Sequence, residues 1–329
     1  MDQPTTPPTP SRRQAAGRLA RRENGRFPVG DRLFDLIVLL LAGCILAITA
    51  LIVLVLFLGG DLALRKYGLG FLTGTTWDPV RQEFGALPFI IGTLVTSFGA
   101  LLLAVPLAVG SALFVSEYAP RVVAEPVSYL IELLAAIPSV VYGFWGIFVL
   151  APVVRSIQLH IFMSPSLRNI GLLRSTPTGL GLFTAILILT VMIIPFTASV
   201  ARDVLRLVPR DQREAAYALG ATRWEVMRHA VLPYARAGIM GGVLLSLGRA
   251  LGETMAVTMV IGNRVAIPHS LFAQTATMAS VIANEFTEAT SPAYLSSLIL
   301  VGLILFLITI LVNVVARVLI HRLTPKGIT

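Results

Sequence analysis

From Ala201 to Ile261 the chain reads ARDVLRLVPRDQREAAYALGATRWEVMRHAVLPYARAGIMGGVLLSLGRALGETMAVTMVI. The first part, 201–236, is rich in arginine: Arg202, Arg206, Arg210, Arg213, Arg223, Arg228 and Arg236. The second part, Ala237–Ile261, is an apolar run broken only by Arg249 and Glu253. A run of about 20 apolar residues crosses the ~30 Å hydrocarbon layer as a helix. Five more such runs lie outside this stretch, near Leu33–Leu58, Pro88–Phe114, Val127–Ala151, Gly179–Val200 and Pro292–Ile320. Backbone amides in lipid must be paired internally, and the runs lack the alternation of barrel strands, so spanning helices are the economical reading. Composition agrees: 56% of the 329 residues are hydrophobic and 13% charged, about half the charge of a soluble domain. The expectation is an all-α polytopic membrane protein with six transmembrane helices in residues 33–329.

In a membrane chain the net charge of +9 reports orientation before it reports nucleic acid, and no nucleic-acid partner is expected. Arg12, Arg13, Arg18, Arg21, Arg22, Arg26 and Arg32 precede the first span, and seven more arginines fill the fourth connection. Arg121, Arg317, Arg322 and Lys326 fall on the same side. The opposite side holds Arg65, Lys66, Arg81, Arg155, Arg168, Arg174 and Arg264. This bias places both termini and the loop 201–236 in the cytoplasm. Residues 1–32, rich in Pro, Thr, Ser and Arg, are expected to form a disordered basic tail. The apolar run after its paired arginines is too long for an export signal, so a retained span is expected.

Metal and nucleotide chemistry find little support in the residues. His160, His229, His269 and His321 are scattered without ligand spacing, and neither Lys66 nor Lys326 ends a phosphate-cradling glycine loop. Any ATP energy is expected to come from a partner. Cys44, the single cysteine, lies in the first span and can form no intrachain disulfide.

Within 201–236, Asp211 with Glu214 and Thr222 with Glu225 are two capping signals eleven residues apart. Gly220 between them suits the left-handed residue that ends a first helix, and Pro233 argues against an unbroken second one. Ala215 and Ala216 give the first helix a shallow side that another protein can approach. An ordinary solvated helical hairpin would carry the same capping signals. In the fifth run, ~100° per residue places Arg249, Glu253, Gly238, Gly242, Gly248 and Gly252 on one face. Glycines permit close packing there. Intramembrane charge suggests a functional pathway, with Arg249 offering forked donors to an oxyanion and Glu253 tempering the charge. A buried ion pair that fixes packing is the other reading. Glu132 is expected to pair structurally with a neighbouring helix.

The string Glu214-Ala215-Ala216, then Gly220, then Leu232-Pro233 resembles the EAA loop of binding-protein-dependent ABC import permeases, with Ala230 where the usual motif has Ile. The resemblance implies that this loop is a coupling helix seated on a cytoplasmic ATPase. Gly248-Arg249-Ala250-Leu251-Gly252-Glu253-Thr254-Met255-Ala256-Val257, Ser116-Glu117-Tyr118-Ala119-Pro120 and Ile137-Pro138-Ser139-Val140-Val141-Tyr142-Gly143 resemble the PstC-type permeases of phosphate-specific (Pst) ABC import systems. That similarity runs from about residue 30 onward and implies a type I importer permease (MetI-like) fold in the cell membrane of a bacterium or archaeon. It implies a PstA-like second permease, a PstB-like ATPase dimer that binds ATP and Mg, and a PstS-like phosphate-binding protein docking on external loops, including the connection with Trp77. It also implies no cofactor in this chain, and translocation roles for Arg249 and Glu253. Permeation of another oxyanion such as sulfate or molybdate, an ion-gradient-driven transporter and an intramembrane enzyme are the competing readings.

Overall fold

The computed structural model describes residues 29–164, 170–173 and 176–323. The expected basic tail lies outside the described residues up to position 28, as do Arg168, Arg174 and Lys326. The four tail residues that are described, 29–32, are already helical.

Six helices are long and apolar enough to span a membrane. The first, α1 (Val29–Tyr67), runs from the segment ending at Val55 into a second compact unit that starts at Leu56. In that second unit a two-stranded hairpin, β1 (Trp77–Asp78) and β2 (Glu83–Phe84), pairs Trp77 with Phe84. Then come α2 (Leu87–Tyr118), an amphipathic helix α3 (Arg121–Ala136), α4 (Ser139–Met163) and α5 (Leu182–Arg206). The charged loop forms α6 (Arg210–Ala218) and leads into α7 (Arg223–Leu251). Two short helices, α8 (Met255–Val260) and α9 (Met278–Glu285), precede α10 (Pro292–Leu323).

Two of the expected spans are redrawn. The apolar run Val127–Ala151 is not one helix: α3 ends at Ile137, whose ψ of 130° is extended, and α4 starts after Pro138. The ring of Pro138 disfavours the helical conformation in the residue before it, and the third span shifts along the chain to Ser139–Met163. The run Ala237–Ile261 also breaks. Its spanning helix begins at Arg223 and stops at Leu251, with Gly252 as C-cap.

The core of the larger unit is built on α2 and α5, which pack along their lengths through small residues. Ala100, Ala104 and Ala185 are fully buried beside Ile188, Leu189 and Ile193. Close approach of helices is how apolar spans associate in lipid, where burial from water gives no driving force. Hydroxyls in these helices are satisfied locally: Thr190 Oγ1 donates to the carbonyl of Ile186 at 2.7 Å and Thr197 Oγ1 to that of Ile193 at 3.0 Å.

Candidate translocation and docking sites

Arg249 occupies the last turn of α7, where unpaired carbonyls favour a cation. From Ala237, where the apolar run begins, to Arg249 the helix rises about 18 Å. There the Arg249 Cζ lies 5.6 Å from the centroid of the Phe196 ring, on α5. The hydroxyl of Tyr142 on α4 donates to the carbonyl of Leu134 at 2.8 Å. Among the described residues no hydrogen bond or ion pair engages the Arg249 guanidinium. A ring face holds a guanidinium without using its in-plane N–H donors. The donors are left available to a planar or tetrahedral oxyanion.

Glu253 is not the partner of Arg249 that its spacing suggests. Because α7 stops at Leu251, a projection at 100° per residue no longer applies beyond it, and the two charges form no ion pair. Glu253 Oε1 instead accepts from the Ala256 N–H at 3.2 Å, filling one of the unpaired donors at the start of α8. Glycine near this point brings helices together: a Cβ on Gly143 of α4 would stand 3.3 Å from the Ala256 Cα. The four glycines of the fifth run also divide. A Cβ on Gly238 or Gly242 would run into Val204 or Val200 of α5, whereas one on Gly248 would come no nearer than 3.9 Å to Asn313 Nδ2 and one on Gly252 no nearer than 3.6 Å to the Gly248 carbonyl. Two of them let α7 pack on α5, and two have room for a side chain.

The charged loop is helix, turn, helix, with two departures from expectation. Asp211 does not cap α6; Pro209 precedes the helix with an extended ψ of 142°, and Asp211 lies in the first turn. Nor does Pro233 stop the second helix. A wide π-type turn, Met227–Val231, comes before it, with the Leu232 N–H donating to the Met227 carbonyl. This widening makes room for the proline ring, so α7 runs on from the loop into the membrane. Thr222 and Glu225 form the expected capping box, with the Glu225 carboxylate accepting from the Thr222 N–H at 2.7 Å. Gly220 has φ +80°. Glu214 and Ala215 are exposed, and Ala216 is half-buried. A cavity of about 420 Å³ lies between α6 and the start of α7, lined by Ala216, Gly220, Glu225, His229 and Ala230. Leu232 and Pro233 sit half-buried at the end of the wide turn.

Glu132 has the neighbouring-helix partner expected of it: buried Arg202 donates to Glu132 at 2.7 Å and to Asp203 at 3.0 Å. Sequence reading had no means of finding two other contacts. Arg213 donates to Glu117 at 2.8 Å, across 96 residues. Trp77 faces inward at 8% exposure, and its Nε1 donates to Glu285 at 2.6 Å. In that first connection the turn between β1 and β2 is open, with Val80 at 92% exposure, and so is Leu69 at 81%. Among the described residues no group of three or more His, Cys, Asp or Glu could hold a metal ion.

Residues 104–325 match the family model of the binding-protein-dependent transport system inner membrane component. The phosphate transport system permease protein PstC of Mesorhizobium japonicum is 46% identical over 306 residues, 92% of this chain and 93% of that protein. The protein of the same name from Pasteurella multocida is 50% identical over 268 residues, 79% and 82% of the two chains. Among solved structures, a bacterial ABC transporter involved in import of the acidic polysaccharide alginate matches with TM-score 0.57 at 17% identity, covering 89% of this chain and 100% of the other. An inward-facing MetNI methionine ABC transporter matches with TM-score 0.52 at 20% identity, covering 75% and 96%. At such identities the structural likeness speaks for the fold, that of an ABC importer permease, and the sequence likeness speaks for the branch. The chain belongs to the inner membrane permease family of binding-protein-dependent transport systems and, within it, to the PstC permeases.

Proposed function

We propose that this multi-pass chain carries inorganic phosphate inward across the cell membrane of a bacterium or archaeon, the cytoplasmic or inner membrane, as one of two permease subunits of an ATP-driven importer. The observation that carries the reading is Arg249, an arginine in an apolar run whose donors no acceptor among the described residues takes up. An unpaired intramembrane cation is expensive unless something passes that needs it. Phosphate in its protonated forms differs from sulfate in offering a donor as well as acceptors. Glu253, half-buried near Arg249 in sequence, has Oε1 on the Ala256 N–H and Oε2 without a hydrogen bond among the described residues. It supplies the acceptor for that proton, while Arg249 takes the oxyanion edge.

The second permease is PstA-like and closes the path. A PstS-like binding protein delivers phosphate from outside, and a PstB-like ATPase dimer holds ATP and Mg beneath the membrane. Glu214, Ala215, Ala216 and Gly220 form the surface the ATPase grips, and Leu232 and Pro233, just past the wide turn within α7, carry that surface into the span. Closure of the ATPase pair moves the loop as a body and switches access from one side to the other. Hydrolysis belongs to the partner.

The test is uptake of labelled phosphate by cells lacking their own permease, at matched membrane levels of the chain and its Arg249→Ala form, with and without the ATPase. Excess sulfate serves as competitor. Uptake that resists sulfate, needs the ATPase and falls at least about tenfold in Arg249→Ala is expected, the scale of losing a charge-assisted pair. Competition by sulfate would reassign the anion, and uptake without the ATPase would overturn the coupling.

A further inference from the structure

The motif Ser116-Glu117-Tyr118-Ala119-Pro120 has no part in the site around Arg249, yet the loop at the cytoplasmic end is built on it. Pro120 disfavours helix at Ala119, whose ψ is 135°; α2 ends here, and its last turn, Phe114–Tyr118, is wound wide. Glu117 and Tyr118 are thereby presented to the charged loop. Arg213, halfway along α6, donates Nη2 to Glu117 Oε1 at 2.8 Å and to the Leu205 carbonyl at 3.0 Å, and Nη1 to the Val208 carbonyl at 3.1 Å. The Leu205 carbonyl belongs to the last turn of α5, where helix geometry leaves acceptors unfilled, and that of Val208 lies just past it. Next to this contact, the Arg223 guanidinium, first residue of α7, lies 5.5 Å over the Tyr118 ring. One turn of α2 thus reaches both helices of the loop.

The arrangement restricts how α6 can move. Three residues join α6 to α5, and four join it to α7; on those turns alone a nine-residue helix would pivot. Arg213 and Glu117 have side chains only 21% and 18% exposed, so drawing them apart leaves two poorly solvated charges. Glu117 is also the one carboxylate on a cavity of about 340 Å³ that is shared with Arg206, Arg210 and Arg213. Without it, three cations face one another. Beneath the ion pair, Leu205, Val208, Val226, Met227 and Val231 form a small buried core with Leu113 of α2. Displacing α6 therefore drags the ends of α2, α5 and α7 together.

Resting on the reading that an ATPase grips α6, we propose that the Ser116–Tyr118 turn is the joint that carries its movement into the membrane. Arg213 and Glu117 are its positioning residues. They serve coupling, and docking does not require them.

The experiment uses the complete importer in proteoliposomes and reads phosphate transported per ATP hydrolysed, together with ATPase co-purification. In a Cys44→Ser background, Glu117→Cys with Arg213→Cys should retain the ATPase while transport per ATP falls about fivefold or more, the scale of a modest coupling free energy. Bridging the two thiols with a short bis-maleimide should restore the ratio. Should the double variant fail to assemble, Glu117→Gln, which keeps the shape and removes the charge, is read on the same ratio and should lower it. An unchanged ratio in either variant, or no recovery in fully cross-linked protein, overturns the joint. If the unaltered chain itself neither retains the ATPase nor imports phosphate with ATP, the underlying functional reading is what falls.

Discussion

Arg249 keeps its donors because the group that holds it is a ring face: Phe196 stands 5.6 Å from its Cζ. A carboxylate in that position would occupy the same N–H groups that an oxyanion needs. Replacing the ring by an aliphatic chain should therefore harm binding geometry more than folding. Phe196→Leu should raise the apparent KM for phosphate roughly fivefold, about 1 kcal/mol for a half-exposed cation–π contact, with membrane level unchanged. Phe196→Trp should restore it. Uptake kinetics of the two variants at matched expression check this; equal KM values for Phe196→Leu and the unaltered chain would remove Phe196 from the site. Glu253 illustrates the opposite lesson. Its carboxylate serves a backbone donor at the head of α8, a role that four-residue spacing from Arg249 conceals, because such spacing has meaning only while a helix continues.

Among the elements, the loop of α6 and α7 was the most legible, since its signals are local. Thr222 and Glu225 close a capping box, and Gly220 adopts φ +80° where a side chain costs about 1–2 kcal/mol. A Cβ there would meet nothing within 4 Å, so a large residue strains the turn and projects from the face proposed for the ATPase. Gly220→Leu should insert normally yet lose most co-purifying ATPase, with Gly220→Asn milder; undiminished co-purification would refute that face. Proline was the least legible element signal. Pro138 separates α3 from α4, whereas Pro106, Pro126 and Pro195 lie inside helices, and Pro233 is absorbed by a wide turn. What a proline does depends on whether neighbours re-satisfy the freed carbonyl, which the residue type does not reveal.

At the scale of the whole molecule, the segment between α8 and α9 is stitched to helices far away in sequence. The first N–H groups of α5, at Leu182 and Phe183, donate to the carbonyls of Ala273 and Leu271 at 2.9 Å, and the Met278 N–H donates to Thr93 Oγ1 of α2 at 2.9 Å. Gly92 makes this approach feasible: a Cβ there would run into the Ala276 carbonyl oxygen. Gly92→Val should lower the melting temperature in detergent by several degrees, the scale expected for overpacking against backbone. Gly110→Ala, with nothing within 4 Å of its new Cβ, should not, and equal melting curves would refute the account. The sequence by itself determined that the chain carries six helices apolar enough to cross a membrane and where the arginine-rich loop turns. Hydropathy and capping both act over a few neighbouring residues. Only the tertiary structure decided that the fifth run breaks after Leu251, that Arg249 rests on Phe196, and that Glu117 holds Arg213. Each of these depends on which distant group satisfies a backbone donor or a charge, and a one-dimensional pattern of apolar residues holds no record of that.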